Sequence, residues 1–360
     1  MNRTSDTHSI QKNGDSQAAL SKEERIENAY RKANDAIEKA RLLSPPFTPL
    51  DVSKLKGIAL PLYPELPGVS WEDNLKWIAD SGANAVSIVI SWDQRTIFHN
   101  RVSADEDTAP SDESVRKVIH HANRLGLKVL IFPIIHIRLR NDGEWRGKLK
   151  PTNLVRWKES YRDYIEHYAK MAEETGAFAL SVGSELSSLE DDEIFWEALI
   201  GDIRKIFKGR LTYSANWDHY QKPKFWDKLD YIGISSYFEV AKANNEPEHV
   251  VSARWDTHKR EIIEYAEKKG KPFIMTEVGY PSIDSAATKP WDYTAKTAPN
   301  QNAQMSAFRS LIDSWAPEKS TAFGGLFLWH GWGAGGENDL SYSFWRKTSL
   351  DLVKKWYGAK

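Results

Sequence analysis

The sequence predicts one α/β domain, a (β/α)8 TIM barrel with an extra N-terminal helix. Eight short apolar runs rich in Val, Ile, Leu and aromatic residues recur from residue 57 onward. Helical patterns separate them, and Gly82, Gly126, Gly176, Gly209 and Gly270 stand where helices end just before the next run. Continuously apolar strands alternating with helices imply a parallel sheet covered on both faces. Eight such units favour a closed barrel over an open doubly wound sheet. The open sheet is further disfavoured because no G-x-G-x-x-G follows the first run, which leads instead into Pro64-Glu-Leu-Pro67.

Taken in order, residues 1–20 are polar, with almost no large apolar side chain, and are expected to form a disordered tail. Ser21, with Glu24 three positions on, caps a helix whose stripe is Ile26, Tyr30, Ala33, Ile37 and Ala40. Prolines 45, 46 and 49 end it, so 21–50 reads as helix plus linker and 51–360 as the barrel. The predicted strands are 57–63, 85–92, 129–136, 178–186, 211–217, 231–237, 272–280 and 324–332. The predicted helices between them are 71–81, 111–125, 155–175, 192–207, 256–269 and 302–315.

Composition removes several classes of function. Lys and Arg total 49 against 50 Asp and Glu, and a formal charge of −1 offers no long-range attraction to nucleic acid or an anionic membrane. The chain has no cysteine, which excludes disulfides, thiolate nucleophiles and Cys-based zinc sites. No apolar stretch approaches the roughly 20 residues of a membrane helix, and the N-terminus lacks the apolar core of a signal peptide. A cytoplasmic location is expected, or a secreted one if a leader has been removed. His136 and His330 lack metal-ligand spacing and read as hydrogen-bonded structural residues, so no metal or cofactor is expected.

The chemistry concentrates at strand ends, where a barrel keeps its active site. Glu185 closes the apolar run Ala177-Phe-Ala-Leu-Ser-Val-Gly-Ser-Glu185, and Glu277 closes Pro272-Phe-Ile-Met-Thr-Glu277. Desolvating a carboxylate is costly, so two such placements suggest a working pair facing each other across the mouth. The other strands end in Ser91-Trp-Asp93, His136-Ile-Arg138, Asn216-Trp-Asp218, Ser236-Tyr237 and Trp329-His330. Fifteen Trp are present, and Trp92, Trp145, Trp217, Trp291, Trp329, Trp332 and Trp345 lie near strand ends or in loops, where an indole can stack on a sugar face. A retaining glycosidase needs one protonated and one ionised carboxyl, and repulsion with unequal surroundings separates their pKa values.

Trp145-Arg-Gly147, Ser160-Tyr-Arg162 with Tyr164 and His167-Tyr168, Val182-Gly-Ser-Glu-Leu186 and Thr276-Glu-Val-Gly-Tyr280 resemble the clan A glycoside hydrolases, and more narrowly glycoside hydrolase family 113. The likeness covers roughly residues 55–335. It implies a β-mannanase-like enzyme acting on an oligosaccharide or polysaccharide, with Glu185 as acid/base and Glu277 as nucleophile. Many clan members carry Asn before the acid/base, whereas Ser184 stands here, so Asn216 becomes the candidate for the sugar 2-hydroxyl contact. The same resemblance gives Tyr237 as donor to the nucleophile and Trp329 as platform. Trp92, His136, Trp145 and Trp217 complete the expected substrate-binding set. Specificity for another β-glycan, or a barrel that binds saccharide without cleaving it, remains open on sequence. Glu190-Asp-Asp-Glu193 reads as an acid-rich helix start, and Gly331-Trp-Gly-Ala-Gly-Gly336 as a rim loop.

Overall fold

A computed structural model describes residues 51, 53–63, 70–105, 107–295, 297–333 and 335–359. The expected tail at 1–20 and the helix and linker at 21–50 lie outside the described residues. The strands are β1 (Leu55–Leu62), β2 (Ala85–Gln94), β3 (Lys128–Ile137), β4 (Ala179–Ser184), β5 (Arg210–Asn216), β6 (Tyr231–Ser235), β7 (Phe273–Val278) and β8 (Phe323–Leu328). Each pairs in parallel with the next, and β8 pairs with β1, closing the barrel.

Strand alternation sorts the core into two layers. Ala59, Val89, Leu130, Phe132, Ala179, Ile274 and Phe327 fill the interior. The opposite faces, such as Ile88, Ile131, Leu211 and Tyr213, pack against the surrounding helices. The interior also carries small hydroxyls, and Ser214 Oγ bonds Ser235 Oγ at 2.8 Å.

Helices cover the outside at Trp71–Asp80, Asp112–Arg124, Leu154–Thr175, Glu193–Ile206, Glu248–Lys269, Gln301–Trp315 and Ser349–Tyr357. Gly176 and Gly270 take left-handed C-cap positions, as helix-ending glycines do. Three features differ from expectation. The helix expected at 256–269 begins at Glu248, because Pro247 caps it where a missing N–H costs nothing. Between β5 and β6, where no helix was predicted, stands the 3-10 turn Phe225–Lys228. Gly209 is no left-handed cap: a Cβ there would sit 2.1 Å from the Phe207 ring, so its role is to leave room. The short final helix Ser349–Tyr357, which buries Val353 and Trp356, was not expected.

Three ladders slip where the site is built, β4–β5, β6–β7 and β7–β8. Ser181 pairs Thr212 but Ser184 pairs Ser214, and Ile234 pairs Met275 but Ser235 pairs Glu277. Such irregularities re-aim side chains, which in a regular strand alternate strictly between faces. Among the described residues no helix is long and apolar enough to cross a membrane.

Candidate active site

Beyond β4 the backbone turns at Glu185, with φ of +55°, a left-handed conformation costly for a residue with a Cβ. The turn is held from both sides. The Glu185 amide donates to the Ser214 carbonyl at 2.7 Å, and the next amide, Leu186 N–H, donates to the Tyr213 hydroxyl at 2.8 Å. Tyr161, from helix Leu154–Thr175, donates to the Val182 carbonyl at 2.9 Å. Gly183 permits this close approach, since a Cβ there would meet the Tyr161 hydroxyl at 2.7 Å and the Tyr213 ring at 2.8 Å.

Glu277 lies near the end of β7, where the ladder shift brings it opposite Ser235. Its side chain is buried, with Oε2 accepting from the Tyr237 hydroxyl at 2.9 Å and Oε1 without a hydrogen-bond partner. Burial, reinforced by the charge of Glu185, pushes its carboxyl up to about 8, while Arg146 and the Tyr237 hydrogen bond pull the other way. The Tyr237 phenol is itself held far above its ordinary value by burial and by Glu277, so it stays a donor.

Arg146, in the 3-10 turn Arg146–Lys148 between β3 and β4, binds the other carboxyl. Its Nη2 donates to Glu185 Oε2 at 2.7 Å, while its buried Nε has no acceptor. Desolvation opposes the charge on this guanidinium, but the carboxylates of Glu185 and Glu277 outweigh it and raise its pKa. Arg146 is therefore a fixed cation serving both acids. The two carboxyls have unequal surroundings, one against a guanidinium and one against a phenol, as acid–base chemistry with two like groups requires.

The remaining candidates divide by strand parity. Trp329 follows β8 on the interior side and packs on the interior core, with its amide bonded to the Val278 carbonyl at 2.8 Å. Asp93 and His136 are opposed in register at the ends of β2 and β3 and meet at 2.8 Å. The Asp93 side of this pair borders a polar cavity of about 300 Å³, also lined by Arg95, Arg101 and Arg138. Asn216 donates to Asp218 Oδ1 at 2.7 Å within its own loop. Trp217 stacks on Trp291 at 5.7 Å between centroids, and the Trp145 indole lies against Gly147. Trp92 is placed elsewhere. One position from Asp93, it faces outward, stacks on Tyr164 at 4.7 Å and donates to the Tyr168 hydroxyl at 3.0 Å.

The sequence profile of Glycoside Hydrolase Family 113 matches residues 68–339. The chain belongs to glycoside hydrolase family 113. It is accordingly a glycoside hydrolase. Among solved structures, this family 113 barrel is similar to the GH113 β-mannanase from Alicyclobacillus acidocaldarius, solved in complex with ManMIm. Identity is 24% and the TM-score 0.76, over 86% of this chain and 98% of that one. A GH113 β-1,4-mannanase complex matches at 24% identity and TM-score 0.75, over 86% and 100%. The hyperthermostable endo-1,4-β-D-mannanase of Thermotoga petrophila matches at 13% and 0.53, over 85% and 99%. Comparison with curated proteins found no match.

Sequence reading of this family 113 hydrolase missed two parts of the site. Arg146 sits inside Trp145-Arg-Gly147, a stretch already singled out, but nothing in the sequence shows that the turn swings its guanidinium onto Glu185. Glu190 reads as one of four acids at a helix start, yet the N-cap is Asp192, while Glu190 is 3% exposed and accepts from the Tyr213 hydroxyl at 2.7 Å. Among the described residues no group of His, Asp and Glu is arranged to hold a metal.

Proposed function

We propose that this enzyme cleaves β-1,4-linked mannan or manno-oligosaccharides by double displacement with retention, using Glu185 as acid/base and Glu277 as nucleophile. The observation that carries the proposal is the pair of buried carboxyls at the ends of β4 and β7, each with a different polar partner. The sugar specificity rests on the similarity to β-mannanases.

Glu185 gives its proton to the glycosidic oxygen as the bond from that oxygen to the anomeric carbon breaks. A Glu277 carboxylate oxygen attacks the same carbon, forming a glycosyl ester. Glu185, now ionised, takes a proton from water, whose oxygen displaces Glu277 and restores both groups. Tyr237 stabilises charge on Glu277 whenever it is the leaving carboxylate.

Azide separates the two roles. Glu277→Ala should give a glycosyl azide of inverted configuration, because azide attacks from the face vacated by the nucleophile. Glu185→Ala should still be glycosylated by substrates with good leaving groups, and azide should then restore turnover with retained configuration. Exchanged stereochemistry reverses the assignment, and wild-type turnover in either variant removes that residue from the mechanism. Hydrolysis of β-linked mannan, glucan and glucomannan oligosaccharides, compared side by side, tests the specificity.

A further inference from the structure

Tyr213 belongs to the outward face of β5, yet its hydroxyl touches the peptide next to Glu185. It accepts from Leu186 N–H at 2.8 Å and donates to Glu190 Oε1 at 2.7 Å. The peptide group on the other side of Glu185 is pinned by the Ser214 carbonyl at 2.7 Å. Both peptides flanking a left-handed residue are thus fixed by β5, which holds a backbone conformation that would otherwise relax.

Glu190 is an expensive way to anchor a tyrosine. It is buried, and its Oε2 has no hydrogen-bond partner. Burial pushes its carboxyl up to about 7, against the hydrogen bond from Tyr213 and the nearby His219, with Glu185 and Asp191 adding to the rise. What the arrangement accomplishes is directional. With the phenol O–H of Tyr213 donated to Glu190, an oxygen lone pair of Tyr213 is left to accept from Leu186 N–H.

We propose that Tyr213 and Glu190 form a brace that positions Glu185 for proton donation. Both are positioning residues, and the inference rests on the role proposed for Glu185.

The test is leaving-group dependence. Protonation matters for a manno-oligosaccharide, whose departing sugar oxygen is basic, and hardly matters for a dinitrophenyl β-mannoside. Tyr213→Phe should lower kcat/KM on the oligosaccharide about 10-fold or more, the scale of losing a hydrogen bond that leaves a buried donor unpaired, and leave the aryl glycoside within about 3-fold. Glu190→Leu should reproduce that split, and Glu190→Gln, which retains an acceptor, should rescue it. Equal losses on both substrates, or none on either, overturn the brace. A crystal structure of Tyr213→Phe gives a second reading, with Glu185 expected to leave its left-handed backbone, whereas an unchanged Glu185 counts against the proposal. If Tyr213→Phe does not fold, Glu190→Leu carries both measurements. Should the wild type cleave neither mannoside, the proposed function fails, and the crystal comparison still decides the brace.

Discussion

Arg146 Nη2 lies 2.7 Å from Glu185 Oε2, so a cation stands beside the carboxyl that the proposed reaction needs protonated. Across the site, burial pushes the Glu277 carboxyl up, while the Arg146 charge pulls it down. Which form of a buried acid is favoured follows from the charges and hydrogen-bonding groups placed beside it. A glycosidic oxygen beside Glu185 and a developing positive charge beside Glu277 both draw the proton toward Glu185.

Arg146→Ala tests this coupling. Removing the guanidinium leaves buried carboxyls without their cation, which should lower kcat/KM by about 100-fold, equivalent to roughly 3 kcal/mol. Arg146 also draws the Glu277 carboxyl downward, so the ascending limb of the pH–kcat/KM profile should move to higher pH in the variant. An unmoved limb would mean that the cation does not control the pair.

Tyr237→Phe removes the one hydrogen bond that the Glu277 carboxyl accepts among the described residues, at Oε2. A hydrogen bond to a charged acceptor is worth about 1.5–3 kcal/mol, so kcat should fall roughly 10- to 100-fold with KM changing little. Steady-state kinetics on one mannoside are sufficient, and a loss confined to KM would place Tyr237 in substrate binding instead.

Stability should also report Glu277. Its carboxyl is raised from an ordinary 4.5 to about 8 in the fold, so the folded state keeps a proton that the unfolded chain releases as pH rises through that window. The contribution is fully present below about pH 4.5 and is lost as pH rises through about 8. Glu277→Gln does not titrate at this position. Its Tm relative to wild type should therefore climb between about pH 5 and pH 8 and then level off. A constant difference in Tm would show that Glu277 titrates normally.

The carboxyl separation decides the stereochemical course. Retention requires the Glu185 and Glu277 carboxyls to lie about 5 to 5.5 Å apart in a crystal structure, and a gap above about 6.5 Å would point to inversion with a water between them.

Much of this architecture was readable because barrel strands are repetitive. Apolar runs bounded by glycine give strand positions to within a few residues, and position at a strand end is itself what marks Glu185 and Glu277. Parity was harder to read. Trp92 and Asp93 are neighbours in sequence and both close a strand, but the pleat sends one to the helices and the other to the mouth. Parity also breaks at the ladder shift beside Glu277, which pattern counting cannot foresee. Arg146 and Glu190 were illegible for a different reason. Each acts from a loop segment, where the path of the chain, and not a period, sets where the side chain goes.

The join between β8 and β1 has a consequence for how the chain is made. It is made by residues far apart in sequence, Gly57 standing opposite Phe327 in the ladder, and the final helix adds a bond from the Tyr357 hydroxyl to the Gly57 carbonyl at a separation of 300 positions. At about 10 residues per second, β1 is synthesised roughly half a minute before the residues that seal its free edge. During that interval the nascent polypeptide presents an unpaired apolar edge, a template for joining other chains. Slower translation lengthens the exposure, and chaperones that shield such an edge shorten its effect. Recovery of soluble enzyme on expression should therefore depend on synthesis rate and chaperone supply even where the finished barrel is stable.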